Sequence, residues 1–202
     1  MIKKLNRIAM SLFLLCCVSS LSGCFSLGTI PNANVPVGGN ITAGEREGDV
    51  FTNAWSDVTF TLPSYYETID LGEDPPGQLT DFALLNHDGG TSISLIYVDL
   101  SYGSQQDLTA EGYLDTVQGQ LKNSRNKNYT FADSYDRATI AGHEYSAMRS
   151  RFNFKESPME TPGYQDGYAR KFDNAIILFL AVYSDDTKGS VDSFLSSVKQ
   201  IS

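Results

Sequence analysis

The chain has 202 residues, 24 acidic groups against 15 basic ones, a net charge of −9 and 41% apolar residues. That length holds one domain with a tail, with enough apolar residues to fill a core. The acidic balance lacks the basic face that phosphate binding needs, so nucleic acid is not an expected partner. Anionic lipid headgroups are likewise disfavoured as a docking surface.

Residues 1–23 read as a targeting segment. Lys3, Lys4 and Arg7 form a positive start, Ile8 to Val18 an apolar run, and Ser19, Ser20, Ser22 and Gly23 a small-residue end. The run falls short of the about 20 apolar residues that a bilayer span takes. It closes in Leu21-Ser22-Gly23-Cys24, which resembles the lipobox of bacterial lipoproteins. The resemblance implies a diacylglycerol thioether on Cys24, cleavage before it and acylation of the new amine. A thiol is the nucleophilic handle for the lipid, and small residues let a peptidase reach the backbone. Each buried CH₂ of the acyl chains contributes about 0.8 kcal/mol, so two or more chains hold stably where one does not. Cys24 is therefore the expected lipidation site and the membrane its expected partner. The expected location is the extracytoplasmic face of the cell membrane. Cys16 and Cys17 leave with the leader. After cleavage the mature chain carries 12 basic and 24 acidic groups, net −12, and no cysteine besides Cys24. Such an exported domain stands on its core rather than on disulfides.

Residues 24–48 read as a flexible tether. Gly, Pro, Asn and Thr are mixed with isolated apolar residues of no sustained period, too few to offset chain entropy by burial. A single domain is expected over residues 49–202. Val58-Thr-Phe-Thr-Leu62 alternates and stops at Pro63, a half-buried strand, with Trp55 before it as a core residue. Glu67 to Thr80 reads as a loop, Phe82 to Leu85 as a short strand, and Asn86 to Gly90 as a turn. Thr91 to Leu100 is apolar on both faces and so belongs in the middle of a sheet. Thr109 caps a helix running to about Asn123, with Tyr113, Leu114, Val117 and Leu121 on one face. Strands resume over Tyr129–Ser134 and Arg137–Ile140. After the turn at Ala141-Gly142 a strand covers Glu144–Phe154, where Met148, Phe152 and Phe154 alternate with Arg149, Arg151 and Asn153. Tyr164–Phe172 and Ala175–Tyr183 form a hairpin across Asp173-Asn174. A final helix, opened by Asp185, Asp186 and Thr187, aligns Val191, Phe194, Leu195, Val198 and Ile201.

This order predicts an α+β fold, an antiparallel β-sheet with helices packed on its faces. The opening Val58-Thr-Phe-Thr-Leu-Pro63, the middle helix, the turn Ile140-Ala-Gly-His-Glu-Tyr145, the apolar hairpin strand and the final helix look like the Mog1/PsbP-like α/β/α sandwich. That group holds photosystem accessory proteins, a nuclear-transport factor and many bacterial lipoproteins. The resemblance covers about residues 50–202. It implies a binding or accessory role, with no family-wide functional residues to carry over.

The chemistry-bearing residues are sparse. His87 and His143 fall at turns, each without a partner nearby in sequence, and read as surface histidines. There is no nucleophile elbow, phosphate loop or His/Cys ligand spacing, so no cofactor, metal or catalytic residue is expected. Asp70, Glu73 and Asp74 read as a solvated loop, and Asp185 and Asp186 as a helix start, since neither group has the spacing of a calcium loop. Tyr65, Tyr66, Tyr164, Tyr168 and Tyr183 suit either strand positions or a recognition surface. The expectation is a non-enzymatic, membrane-anchored binding or accessory module with a protein partner at the cell envelope. The alternative is an envelope hydrolase acting on glycan or peptide. It would bring two carboxylates, or Ser with His, to about 3–9 Å across a cleft.

Overall fold

Ala175 to Ser184 is apolar at nine consecutive positions, and a strand of that composition is stable only if both of its faces are covered. The computed structural model describes residues 41–86, 90–101, 105–125, 127–154 and 162–201. The leader, Cys24, most of the tether and His87 lie outside the described residues.

Among the described residues, eleven strands form two antiparallel sheets. The small sheet is β1 (Glu45–Glu47), β2 (Val50–Asn53) and β3 (Val58–Thr61) in sequence order. The large sheet holds β4 (Tyr66–Thr68), β5 (Gln78–Asn86), β6 (Ser92–Asp99), β7 (Lys127–Phe131), β8 (Asp136–Ile140), β9 (His143–Phe154), β10 (Gly163–Phe172) and β11 (Ala175–Ser184). Its order is β4-β5-β6-β11-β10-β9-β7, with β8 also against β9. The apolar strand β11 thus sits between β6 and β10, and all nine residues from Ala175 to Tyr183 are buried.

Helix α1 (Ala110–Lys122) covers one face, seating Tyr113, Leu114, Val117 and Leu121 against Ile96, Met148, Ile176, Leu178 and Leu180. Thr109 caps it as its sequence predicts, its Oγ1 accepting from Gly112 N at 3.0 Å. The small sheet and helix α2 (Lys188–Ser197) cover the other face, joining Phe51, Phe60, Val191 and Phe194 to Phe82, Leu95, Ile177 and Phe179. Phe194 is the hub of this layer, with rings of Phe60 at 5.0 Å, Tyr66 at 6.0 Å and Phe82 at 6.1 Å. On the first face, Gly163 lies opposite Phe152 and leaves room for its ring, where any Cβ would collide. The fold is α+β as the element order predicts.

Several boundaries differ from the sequence pattern for local reasons. Residues 41–48, whose composition suits a tether, carry β1, and Ile41 packs on the core. Gly44 N donates to Asp81 Oδ1 at 2.6 Å and Asn53 Nδ2 to Thr42 O at 2.8 Å, so side chains of the domain hold a stretch that has little apolar content of its own. β5 begins at Gln78 rather than Phe82, with a register shift between Thr80 and Phe82. Asp74 fastens that start, accepting from Thr80 N at 2.7 Å and Thr80 Oγ1 at 2.6 Å. The final helix stops at Ser197. Val198 turns extended, and Lys199 makes a two-bond β-bridge with Thr59 at 2.8 Å each way, which leaves Ile201 37% exposed and outside the helical stripe.

Phe194→Ala removes the hub ring from a site 1% exposed. The expected loss is about 3–5 kcal/mol of unfolding free energy, read from the urea midpoint; a loss under about 1 kcal/mol would mean that Phe194 is not central.

Candidate functional site

Polar groups cluster at four places on the face shared with the small sheet and α2. The first is Asp81, on β5. Its carboxylate accepts from Gly44 N at 2.6 Å, Asn53 Nδ2 at 2.7 Å and Tyr97 Oη at 2.7 Å, and Tyr97 Oη also meets Ser56 Oγ at 2.7 Å. Burial raises the Asp81 carboxyl above the ordinary carboxylate range, and these hydrogen bonds only moderate the shift. Burial and the neighbouring Asp81 charge push the Tyr97 phenol far up, so it stays a donor.

The second is Asp166, on β10, with a side chain 2% exposed. It accepts from Tyr183 Oη at 2.8 Å, Tyr168 Oη at 3.4 Å and Arg149 Nη1 at 3.3 Å. Burial again raises its carboxyl, against the lowering effect of Tyr183 and Arg149. Arg149 is 44% exposed and bridges outward to Asp136 Oδ2 at 2.8 Å. Asp81 and Asp166 do not stand out in the sequence. The signal available was an acid at an inward-facing strand position, which burial allows only with donors around it.

The third is Arg170. Its guanidinium lies over the rings of Phe172 at 5.1 Å and Tyr145 at 5.5 Å and donates from Nη2 to Ser56 O at 3.2 Å. Trp55 packs edge-on to Tyr97 at 5.0 Å and Phe172 at 5.3 Å. It serves as core packing, half in and half out.

The fourth joins residues far apart in sequence. His143 Nε2 lies 3.2 Å from Asp57 Oδ2, and Gln200 Nε2 is 3.3 Å from each of them. The side chains of His143 and Asp57 are 25% and 40% exposed, so the pair sits at the surface and not in a deep pocket. Sequence reasoning found His143 but no partner for it, because the partner is 86 positions away.

The remaining candidates hold local structure. Asp70 accepts from Gly72 N at 2.8 Å within its own loop, while Asp74 holds Thr80. Asp185 and Asp186 open a 3-10 turn, Asp185–Thr187, ahead of α2. Among the described residues no three His, Cys, Asp or Glu side chains gather to hold a metal. Of the tyrosines, Tyr66, Tyr168 and Tyr183 are buried at 3–4% exposure and cannot form a recognition surface; Tyr65 is exposed. Burial pushes the Tyr66 phenol up to about 12.

An open cleft of about 440 Å³ lies between the small sheet and β4, lined by Arg46, Asp49, Leu62, Pro63, Ser64, Tyr66, Glu67 and Thr68. Arg46 spans it, donating from Nε to Gly48 O at 2.8 Å and from Nη1 to Thr68 Oγ1 at 3.2 Å, with Asp49 at 3.6 Å. The Asp49 side chain is 76% exposed. Among the described residues no helix is long and apolar enough to cross a membrane, which says nothing of membrane β-barrels.

The architecture is PsbP-like. The chain is similar to the solution structure of cyanobacterial PsbP (CyanoP) from Synechocystis sp. PCC 6803, with a TM-score of 0.53 and 14% identity over 87% of this chain and 99% of that one. A Bacteroides thetaiotaomicron protein matches with a TM-score of 0.42 and 16% identity over 78% of this chain and 50% of that one. LpqN of Mycobacterium tuberculosis, involved in cell envelope biogenesis, matches at 0.39 and 12% identity over 70% and 82%. No protein-family profile and no curated protein sequence matches the chain. At 14% identity the likeness to CyanoP establishes the fold alone.

Asp166 and Asp81 hold a proton more tightly folded than unfolded. Their contribution to stability is whole below the ordinary value of 3.8 and declines as pH rises through each raised value. Asp166→Asn cannot ionise, so its urea midpoint should fall less steeply than wild type as pH rises above about 4. Parallel profiles would show that Asp166 carries no such linkage.

Proposed function

We propose that the chain is an envelope lipoprotein, held at the extracytoplasmic membrane face by lipid on Cys24, whose domain is a non-enzymatic binding or accessory module. The anchor rests on the agreement of n-region, apolar run and lipobox in one register. The accessory role is supported chiefly by the use the fold makes of its perturbed groups. Asp81 is closed by Gly44, Asn53 and Tyr97, and Asp166 by Tyr183, Tyr168 and Arg149. The Asp81 contacts tie the small sheet to the large one and the Asp166 contacts link neighbouring strands of the large sheet, and groups spent in this way are not presented to a substrate. The PsbP-like fold agrees with this reading, because accessory proteins are among those that the Mog1/PsbP-like resemblance brings with it. A protein at the envelope is the expected partner.

One observation favours the hydrolase alternative: Asp49 and Glu67 line the same cleft. A general acid works from an enclosed site, and the Asp49 side chain is 76% exposed. Turnover of an envelope glycan or peptide that disappears in both Asp49→Asn and Glu67→Gln would carry the reading to the alternative.

Mass spectrometry of the chain from membranes tests the anchor. The expected N-terminus is Cys24 with diacylglycerol and an acylated amine, and Cys24→Ser should shift the protein from the membrane to the soluble fraction. An unmodified Cys24, or cleavage elsewhere, would overturn the anchor.

A further inference from the structure

The chain enters the domain at one particular end of the large sheet. At that end β5 and β11 begin while β6 and β10 stop: Gln78 pairs with Val98, Asp99 with Ala175, and Phe172 with Ala175. The β2–β3 turn lies there too, because Trp55 packs edge-on to Tyr97 and Phe172. So does the start of the described chain. Thr42 O accepts from Asn53 Nδ2, two residues before Trp55, and Gly44 N donates to Asp81, which also holds Tyr97. The cleft between the small sheet and β4 is at the other end, where Tyr66 pairs with Asn86, the last residue of β5.

The end where the chain enters leaves apolar surface in water. Phe172 is 39% exposed, and Trp55 beside it is half-buried. Ile201, 37% exposed, is brought to the same end by its N–H, which donates to Asp57 Oδ1 at 3.1 Å. The Arg170 guanidinium lies over the Phe172 ring at 5.1 Å, and the exposed Lys171 sits between them in sequence, its Nζ donating to Gln106 O at 2.8 Å. Aromatic rings flanked by long basic stems are the composition that settles at a lipid headgroup boundary: the rings enter its apolar side and the cations snorkel to its polar side. Arg170, Lys171 and Lys199 are offset at this end by Asp57, Asp173 and Glu144, so the rings, and not net charge, supply the attraction.

Seventeen positions separate Cys24 from Ile41, and a chain of that length spans at most about 60 Å. With lipid on Cys24, the Trp55–Phe172 end is the one held within that reach of the bilayer. A short leash raises the effective concentration of the surface to about the millimolar range, so a contact too weak to bind a free domain is enough. We propose that this end of the domain docks on the bilayer that holds Cys24, with Trp55 and Phe172 in the headgroup boundary and Arg170 and Lys171 reaching the lipid phosphates. The inference rests on the lipid anchor proposed above. It gives the domain a fixed orientation, in which the cleft between the small sheet and β4 faces away from the membrane, toward a protein partner.

Trp55 is the only tryptophan, so its fluorescence reports on this end alone. The protein purified from membranes is reconstituted into phosphatidylcholine vesicles with and without a nitroxide at the top of the acyl chain. Labelled lipid should quench Trp55, and a label at the chain terminus should quench it less. Phe172→Ser should cut the quenching severalfold, Lys171→Glu should weaken it with less disturbance of the fold, and Phe172→Leu should keep most of it. Val50→Ser, at an apolar position 44% exposed at the far end of β2, should leave it unchanged. Flotation with the vesicles reads the anchor separately. A protein that floats with Trp55 unquenched overturns the docking and leaves the anchor standing, whereas one that does not float overturns both. Trp55 shielded from aqueous iodide yet unquenched by labelled lipid means that a second copy or another protein covers this end, and overturns lipid as the occupant. Quenching of equal strength in wild type, Phe172→Ser and Lys171→Glu overturns the assignment as well.

Discussion

Burial of β11 on both faces is the constraint on which the rest of the structure depends. A strand with nine buried residues in a row needs a neighbour on each edge and a layer on each side. β6 and β10 fill the edges. One layer is α1, from the middle of the chain; the other joins the chain's two ends, the small sheet of residues 45–61 and α2. The fold closes only when the first and last parts of the domain meet over the same strand.

That closure explains where the ionisable groups sit. The layer over Ile177 and Phe179 is built of two short pieces, and polar residues occupy their margins: Asp81 with Tyr97 and Ser56, and Asp166 with Tyr168 and Tyr183. A carboxylate in such a place is costly unless donors surround it. Each therefore draws on tyrosine hydroxyls from strands of the same sheet. The abundance of tyrosine in this chain, 11 residues, is partly accounted for by this demand. The opposite layer has one helix and a more uniform apolar seam.

The fold was legible wherever a period ran uninterrupted. The helix after Thr109, the central position of Thr91–Leu100 and the hairpin at Asp173-Asn174 follow from apolar spacing and turn chemistry alone. Edges were harder to read because they are decided at a distance. The residues leading into β1 are held by Asp81 and Asn53, and the end of α2 is set by Thr59, none of which shows in the local pattern. The candidate sites were mostly hidden for the same reason. His143 stood out by its rarity, but Asp57 and Gln200 join it only through tertiary structure, and Asp81 and Asp166 look like ordinary strand acids until their burial is known.

The position of β1 has a mechanical consequence. It is the outer strand of the small sheet and is joined to β2 by the tight connection at Gly48, so the two strands run antiparallel. Load entering from the N-terminal side meets the packing of Ile41, the Asn53–Thr42 and Gly44–Asp81 bonds and then the three β1–β2 pairs in turn. Peeling residues 41–47 frees about 23–25 Å of chain, at 3.3–3.6 Å per residue. The layers around β11 need not open while this happens. The first strand of the domain thus acts as a compliant length of spring between the chain before it and a core that stays closed.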